Sequence, residues 1–251
     1  MMKIALIADI HGNALALEAV LADLKGRDGA DIVVNLGDCI SGPLWPRETM
    51  GILHQLGATT VRGNHDRQVA TLTRETMNAS DSFAVQEITA ADRAWLAALP
   101  QTVMLTPGIL ACHATPDDDA TYLLERIENG GLVRDDEAAI STRLGTINTA
   151  NIMLTGHSHR PDMLRTQNGM TIINPGSVGC PAYEDDAPAH VSESATPHAR
   201  YAIIDIAEDA DLPDVQFIAV AYDHEKAAKR AEENRRNDWA YALRTGYATP
   251  A

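Results

Sequence analysis

Five short segments of the chain each place an Asp, an Asn or a His directly after an apolar run. They are Asp9-Ile10-His11, Gly37-Asp38, Gly63-Asn64-His65-Asp66, Cys112-His113 and Gly156-His157-Ser158-His159. Together they offer three carboxylates, one amide and five imidazoles. That is more than one metal ion takes and a natural set for two. Each residue has a plainer role when taken alone. An isolated Asp9 or Asp38 reads as a turn former or helix cap, Asn64 as a turn residue, and His113 as a hydrogen-bonded core histidine. His157 and His159 are harder to set aside, because an x-His-x-His pair in a Gly-bounded loop is a common metal-ligand spacing. All five segments at once, each behind a strand, point to a metal site.

The elements that must position these residues alternate between strand and helix. Residues 3–8 (KIALIA) fit a short buried strand. An apolar periodicity at Leu15, Leu17, Val20, Leu21 and Leu24 then predicts a helix, with Asn13 as its cap and the stretch from Gly26 to Gly29 as its end. A second strand is expected over 31–36, a helix near 47–56 after a Pro-punctuated turn, and a third strand over 58–62. Strands joined by helical crossovers are parallel, with right-handed connections. Their carboxyl ends share one edge of the sheet, where ligands of open α/β sheets bind. Strands expected at 108–111 and 151–155 deliver His113, His157 and His159 in the same way. On an extended segment Asn64 and His65 point to opposite sides and can serve different partners.

Lined up in order, these segments resemble the motifs of the calcineurin-like metallophosphoesterase superfamily: D-x-H (Asp9, His11), G-D (Gly37, Asp38), G-N-H-D (Gly63 to Asp66), a lone His after a strand (His113) and G-H-x-H (Gly156, His157, His159). Asn174-Pro175-Gly176-Ser177 is similar to a segment of the compact prokaryotic phosphodiesterase branch. The resemblance implies an α/β fold, a four-layer αββα sandwich of two mixed sheets flanked by helices. It implies that Asp9, His11 and His159 hold one metal, that Asp38 bridges to a second, and that Asn64, His113 and His157 complete the second. His65 would stay free of metal, close to the substrate. One departure narrows the family: the Asp-Arg pair that protein Ser/Thr phosphatases carry after the Gly-Asp is absent from Gly37-Asp38-Cys39-Ile40-Ser41-Gly42-Pro43, and Asp66 stands where they have Glu. A dedicated phosphoprotein phosphatase is disfavoured.

The chemistry expected of such a site is in-line attack on phosphorus by a metal-activated hydroxide, with His65 protonating the leaving oxygen. Asp66 either orients His65 or caps a helix over 67–72. Two divalent ions less two Asp charges leave about +2, enough to draw a phosphate ester despite a chain charge of −15. Oxygen and nitrogen donors without thiolate suit manganese, iron, zinc or nickel better than magnesium or calcium, and the resemblance favours Mn²⁺. Cys39 and Cys112 read as small buried apolar residues.

At 251 residues and 45% apolar content the chain is expected to form a single domain spanning 1–251. It shows no signal peptide, membrane span or disulfide framework, so a cytoplasmic location is expected. Between about 115 and 150 lies an expected helical, cap-like insertion, with helices at 122–128 and 135–144 and an acidic run from Asp117 to Asp119. Residues 181–199 read as a mobile loop, 201–206 and 215–220 as strands, and 223–245 as a solvated helix of mixed charge that Trp239 and Tyr241 pack down. Aromatics are scarce at 4%. Tyr122 or Tyr183 could stack on a base, although packing is the plainer role. The expected substrate is a small soluble phosphate ester, most naturally a diester. A phosphomonoester or a dinucleoside polyphosphate is the alternative, and a non-catalytic interaction module on the same fold is the competing class. The net charge argues against long nucleic acid. No membrane partner is expected, and the sequence does not give the oligomeric state.

Overall fold

A computed structural model describes residues 2–147, 149–207 and 212–248. In chain order it contains β1 (Met2–Ile7), α1 (Ala14–Gly26), β2 (Ile32–Asn35), α2 (Pro46–Leu56), β3 (Thr59–Thr60), α3 (Asn64–Thr71), α4 (Ala79–Glu87) and α5 (Ala90–Ala98). β4 (Thr102–Thr106), β5 (Gly108–Cys112), β6 (Glu125–Glu128), β7 (Gly131–Arg134), α6 (Glu137–Leu144), β8 (Ala150–Leu154), β9 (Pro161–Arg165) and β10 (Thr171–Pro175) follow. The chain ends with β11 (Ala182–Asp186), β12 (Ala189–Glu193), β13 (Ala199–Ile206), β14 (Asp214–Val220), α7 (His224–Glu233) and α8 (Asn237–Thr245).

Two five-stranded sheets stack face to face. One has the order β14-β13-β1-β2-β3 and the other β4-β5-β8-β10-β9. The strands that carry ligand candidates are parallel within each sheet: β1 with β2, β2 with β3, and β5 with β8. β13 joins β1 antiparallel in the first sheet, as β4 joins β5 and β9 joins β10 in the second, so both sheets are mixed. The period-2 alternation of a strand builds the layers. Ile4 and Leu6 of β1 enter the core between the sheets, where Leu154, Ile173 and Ile204 meet them, while Ala5 and Ile7 face the helices α1 and α2. On the far side Met153 and Ile172 pack against Ile140 and Leu144 of α6. Each Ile or Leu buried this way contributes about 1.5–3 kcal/mol. α1 is entered as the sequence predicts: the Asn13 side chain accepts the Ala16 N–H, and Ala16, Leu17, Val20 and Leu24 form its buried stripe.

The insertion departs from expectation. Residues 122–128 are not a helix: β6 and β7 form a hairpin, and only α6 is helical. The cause is legible afterwards. Asn129-Gly130 sits between the strands with φ of 53° and 75°, the two-residue turn that needs left-handed backbone at both positions. Residues 181–199, expected as a loop, instead form the hairpin of β11 and β12, and β12 pairs with β7 to complete a four-stranded sheet. Its alternation is hidden because polar side chains point inward. His190 and Ser192 of β12 are buried, and Ser192 Oγ donates to the Ser158 carbonyl at 2.6 Å.

The C-terminal helix is also two helices, not one. α7 ends at Glu233 with Asn234 as its cap, Arg235 adopts a φ of 61°, and α8 turns back along α7 onto Leu44. Among the described residues no helix is long and apolar enough to cross a membrane.

Candidate metal centre and active site

The loops after β1 and β2 run side by side: the amides of Asp9, His11 and Gly12 donate to the carbonyls of Gly37, Asp38 and Cys39 at 3.0–3.1 Å. The second sheet is bound to them at the same edge. Val178 N–H donates to Ala8 O, Ser177 Oγ to Asp9 O at 2.8 Å, and Asn174 Nδ2 to Gly156 O at 2.7 Å. The segment from Asn174 to Ser177 therefore fastens the Asp9 loop to the His157 loop.

This backbone is strained where the donors sit. Asp9, His11, Asp38, His157 and His159 all have φ between 50° and 68°. Left-handed backbone at a non-glycine residue costs of order 1–3 kcal/mol and gathers at functional sites. Glycine is required beside them. A Cβ on Gly63 would lie 2.1 Å from Asp38 Oδ1.

Two donor clusters result, one of Asp9, His11 and His159 and the other of Asp38, His113 and His157, with the donor atoms of each within 4.8 Å of one another. Asn64 Oδ1 lies 3.1 Å from His113 Nε2, beside the second cluster. Asp38 Oδ2 is 3.4 Å from His113 Nε2 and 3.8 Å from His11 Nε2, so it stands between the clusters. All seven residues expected as ligands are thus at one edge.

Hydrogen bonds fix which ring nitrogen is free. The Nδ1–H groups of His11, His113 and His159 donate to the carbonyls of Ser41, Leu36 and Cys180 at 2.7–2.8 Å, which turns each Nε2 inward. His157 is the reverse: its Nε2 bonds Ala120 O at 2.9 Å, leaving Nδ1 for a ligand. Burial pushes His11 and His157 down to about 4 and His159 well below its usual range, so these rings are neutral.

The residues fit a pair of cations on this structure's own terms. The Nε2 atoms of His11 and His159, both lone-pair bearing, face each other at 3.1 Å. Asp9 Oδ1 is buried without a hydrogen-bond partner. A cation between these groups satisfies them all. Burial raises Asp9 to about 8, with the His113 charge opposing and Asp38 adding to the rise. His113 is pulled down by burial but pushed to about 10 by the Asp38 carboxylate, a proton that a bound metal displaces.

His65 is arranged differently from expectation, whereas Asp66 takes the second of its two expected roles, at the helix start. α3 begins at Asn64, so Asn64 and His65 are neighbours on a helix, about 100° apart, rather than on opposite sides of an extended segment. Asp66 does not touch His65. Its carboxylate accepts the N–H groups of Asp38, Cys39 and Gly63 at 2.9–3.0 Å and so holds the Asp38 loop to the start of α3.

The partner of His65 is Asp81 at the start of α4, whose Oδ1 lies 2.9 Å from His65 Nδ1. Asn78 Nδ2 holds the other carboxylate oxygen at 3.0 Å. Burial lowers His65, but the Asp38 carboxylate and the Asp81 bond outweigh it and raise the ring to about 9. Asp81 was not singled out in the sequence. Its only signal there is the helix-start pattern Asn78-x-x-Asp81, which reads as a cap.

A cavity of about 560 Å³ opens on the donors. Tyr122 stacks on His157 at 4.7 Å and Tyr183 meets His159 edge-on at 4.6 Å, so both pack on ligand candidates. The acidic run from Asp117 to Asp119 does not line the cavity, and Asp119 is instead paired with Arg67 at 2.7 and 2.8 Å. Glu184, Asp185 and Asp186 of β11 form the acidic rim. From the C-terminal segment Arg236, Asp238 and Trp239 complete the wall.

Comparison with known proteins agrees with this fold. The chain is 26% identical to an uncharacterized protein of Methanocaldococcus jannaschii, with 94% of each covered. It is similar in structure to a metallophosphoesterase from Sphaerobacter thermophilus, with a TM-score of 0.72, 25% identity, and 98% of this chain and 99% of that one covered. A hypothetical protein from Pyrococcus horikoshii OT3 shares the fold with a TM-score of 0.76 at 20% identity, over 99% and 100% of the two chains. Residues 2–209 match the calcineurin-like phosphoesterase superfamily domain, and the chain belongs to that superfamily.

Proposed function

We propose that the protein is a dinuclear-metal phosphoesterase that hydrolyses small phosphodiesters, with His65 as proton donor to the leaving oxygen. The observation that carries this reading is the position of Asp38 between two donor clusters with the His65–Asp81 pair beside them. Asp9, His11 and His159 would hold one ion, Asn64, His113 and His157 the other, and Asp38 both. Bound divalent ions would supply activation of water and neutralisation of the phosphoryl oxygens. Oxygen and nitrogen donors with no cysteine in either cluster suit manganese, iron, zinc or nickel, and the resemblance to the superfamily favours manganese.

The chain's own residues supply the rest. Asp38 accepts the His65 N–H through Oδ1 at 3.0 Å, which holds the His65 backbone beside the donor clusters. Asp81 binds Nδ1 and thereby directs Nε2 away from itself. The Asp81 carboxylate at Nδ1 favours the protonated ring that a donor to an alkoxide needs. Asp66 takes no part in the proton transfer and holds the loop that carries Asp38.

The test is hydrolysis of bis(p-nitrophenyl) phosphate beside p-nitrophenyl phosphate by metal-stripped protein titrated with Mn²⁺, with Asp38→Asn as control. Metal-dependent diester turnover that the substitution abolishes is the expected result. Turnover confined to the monoester would replace the diesterase by a phosphatase. Failure to bind metal would refute the dinuclear reading.

A further inference from the structure

Arg236 stands just before α8, beyond the residues matched to the superfamily domain, yet its side chain lines the cavity. It is held from two sides. Nε and Nη2 donate to the Asp238 carboxylate at 2.6–3.1 Å, and Nη1 donates across the cavity wall to Ser80 Oγ at 2.9 Å. A guanidinium has five N–H donors, and these bonds use one on each nitrogen, leaving two. Its carbon lies 5.8 Å from the ring centre of Trp239, whose indole meets the His11 ring edge-on at 6.0 Å and would be within 3.1 Å of a Cβ at Gly42.

These contacts fix the order of groups along one wall. Ser80 adjoins Asp81, which holds His65. One Cα step of about 3.8 Å thus separates the residue that anchors Arg236 from the residue that anchors the proton donor. Trp239 touches both Arg236 and His11, and Ser80 ties Arg236 to the helix start that holds His65. In a cavity lining that includes the acidic rim of β11, Arg236 is the one arginine or lysine among the described residues.

We propose that Arg236 is a specificity residue that binds an anionic group carried by the leaving alcohol of the substrate, the body of that alcohol lying over Trp239. The inference rests on the phosphodiesterase reading, because it is His65 that marks the leaving side. A planar, fixed guanidinium with two free N–H donors suits a carboxylate or phosphate oxygen pair.

The test compares two chromogenic diesters, methyl 4-nitrophenyl phosphate and methyl 3-carboxy-4-nitrophenyl phosphate, in the Mn²⁺-loaded full chain. The readout is the ratio of their kcat/KM values. Because it is internal to each protein, partial loss of folded enzyme cancels. Wild type is expected to prefer the carboxylated ester by roughly tenfold, the order of one charge-assisted contact. Arg236→Gln should bring the ratio close to one. Asp238→Asn, at a half-exposed side chain, frees donors of Arg236 and should raise the ratio.

A wild-type ratio at or below one would overturn the inference, as would a ratio that neither substitution moves. In those cases turnover of the uncarboxylated ester leaves the phosphodiesterase reading standing. Absence of metal-dependent turnover of both esters would overturn that reading and the inference with it.

Discussion

His65 has one side chain neighbour that decides its use. Asp81 fixes Nδ1, so the role proposed for His65 depends on a residue from another helix. Asp81→Asn keeps the shape but removes the charge. It is expected to slow diesters with alkyl leaving groups by roughly 10–100-fold, part of the 10²–10⁴ that proton donation contributes. Esters with activated aryl leaving groups should be slowed much less. The check is the dependence of kcat on leaving-group pKa, which should steepen, and equal slowing of both ester types would refute the positioning role. Gly63 is a second decisive position. A methyl there collides with Asp38 Oδ1, so Gly63→Ala should weaken Mn²⁺ binding by at least tenfold in calorimetric titration, on the scale of lost ligand positioning.

Short elements here are held by specific hydrogen bonds more than by propensity. The start of α3 and the loop after β2 share the Asp66 carboxylate, which satisfies three backbone N–H groups. Asp66→Ala leaves them unpaired in a buried place and should cost about 3 kcal/mol, read as a lowered urea midpoint. The same substitution should weaken metal binding through the displaced Asp38, whereas a role in proton transfer alone would leave binding intact. The β6–β7 hairpin depends on its turn. Gly130, at φ 75°, becomes strained with a Cβ, and Gly130→Ala should cost roughly 1 kcal/mol in the same experiment.

Across the whole molecule, a net charge of −15 surrounds a site whose donors attract cations. Metal binding to the folded state alone stabilises it, by about 2.7 kcal/mol at a hundredfold excess over Kd. Mn²⁺ should therefore raise the melting temperature of stripped wild type and much less that of Asp38→Asn. Turnover of a small diester should fall less than tenfold between about 50 and 200 mM salt, because it lacks the many phosphate contacts that make nucleic-acid binding salt-steep.

The sequence by itself determined which candidate donors share the carboxyl-end edge of each sheet. Parallel strands linked by helices must end on one side, so Asp9, Asp38 and Asn64, and separately His113 and His157, could be placed together without coordinates. Tertiary structure alone decided what surrounds them. Asp81 reaches His65 from a helix start whose local pattern is that of ordinary capping, Arg236 reaches the cavity from another helix start, and no spacing relates either to His65. The small sheet was hidden because β12 buries His190 and Ser192, an inward polar face that hydrophobic periodicity cannot register. Periodicity reports which face leaves water, whereas the identity of a hydrogen-bond partner across the fold is settled only when the layers meet.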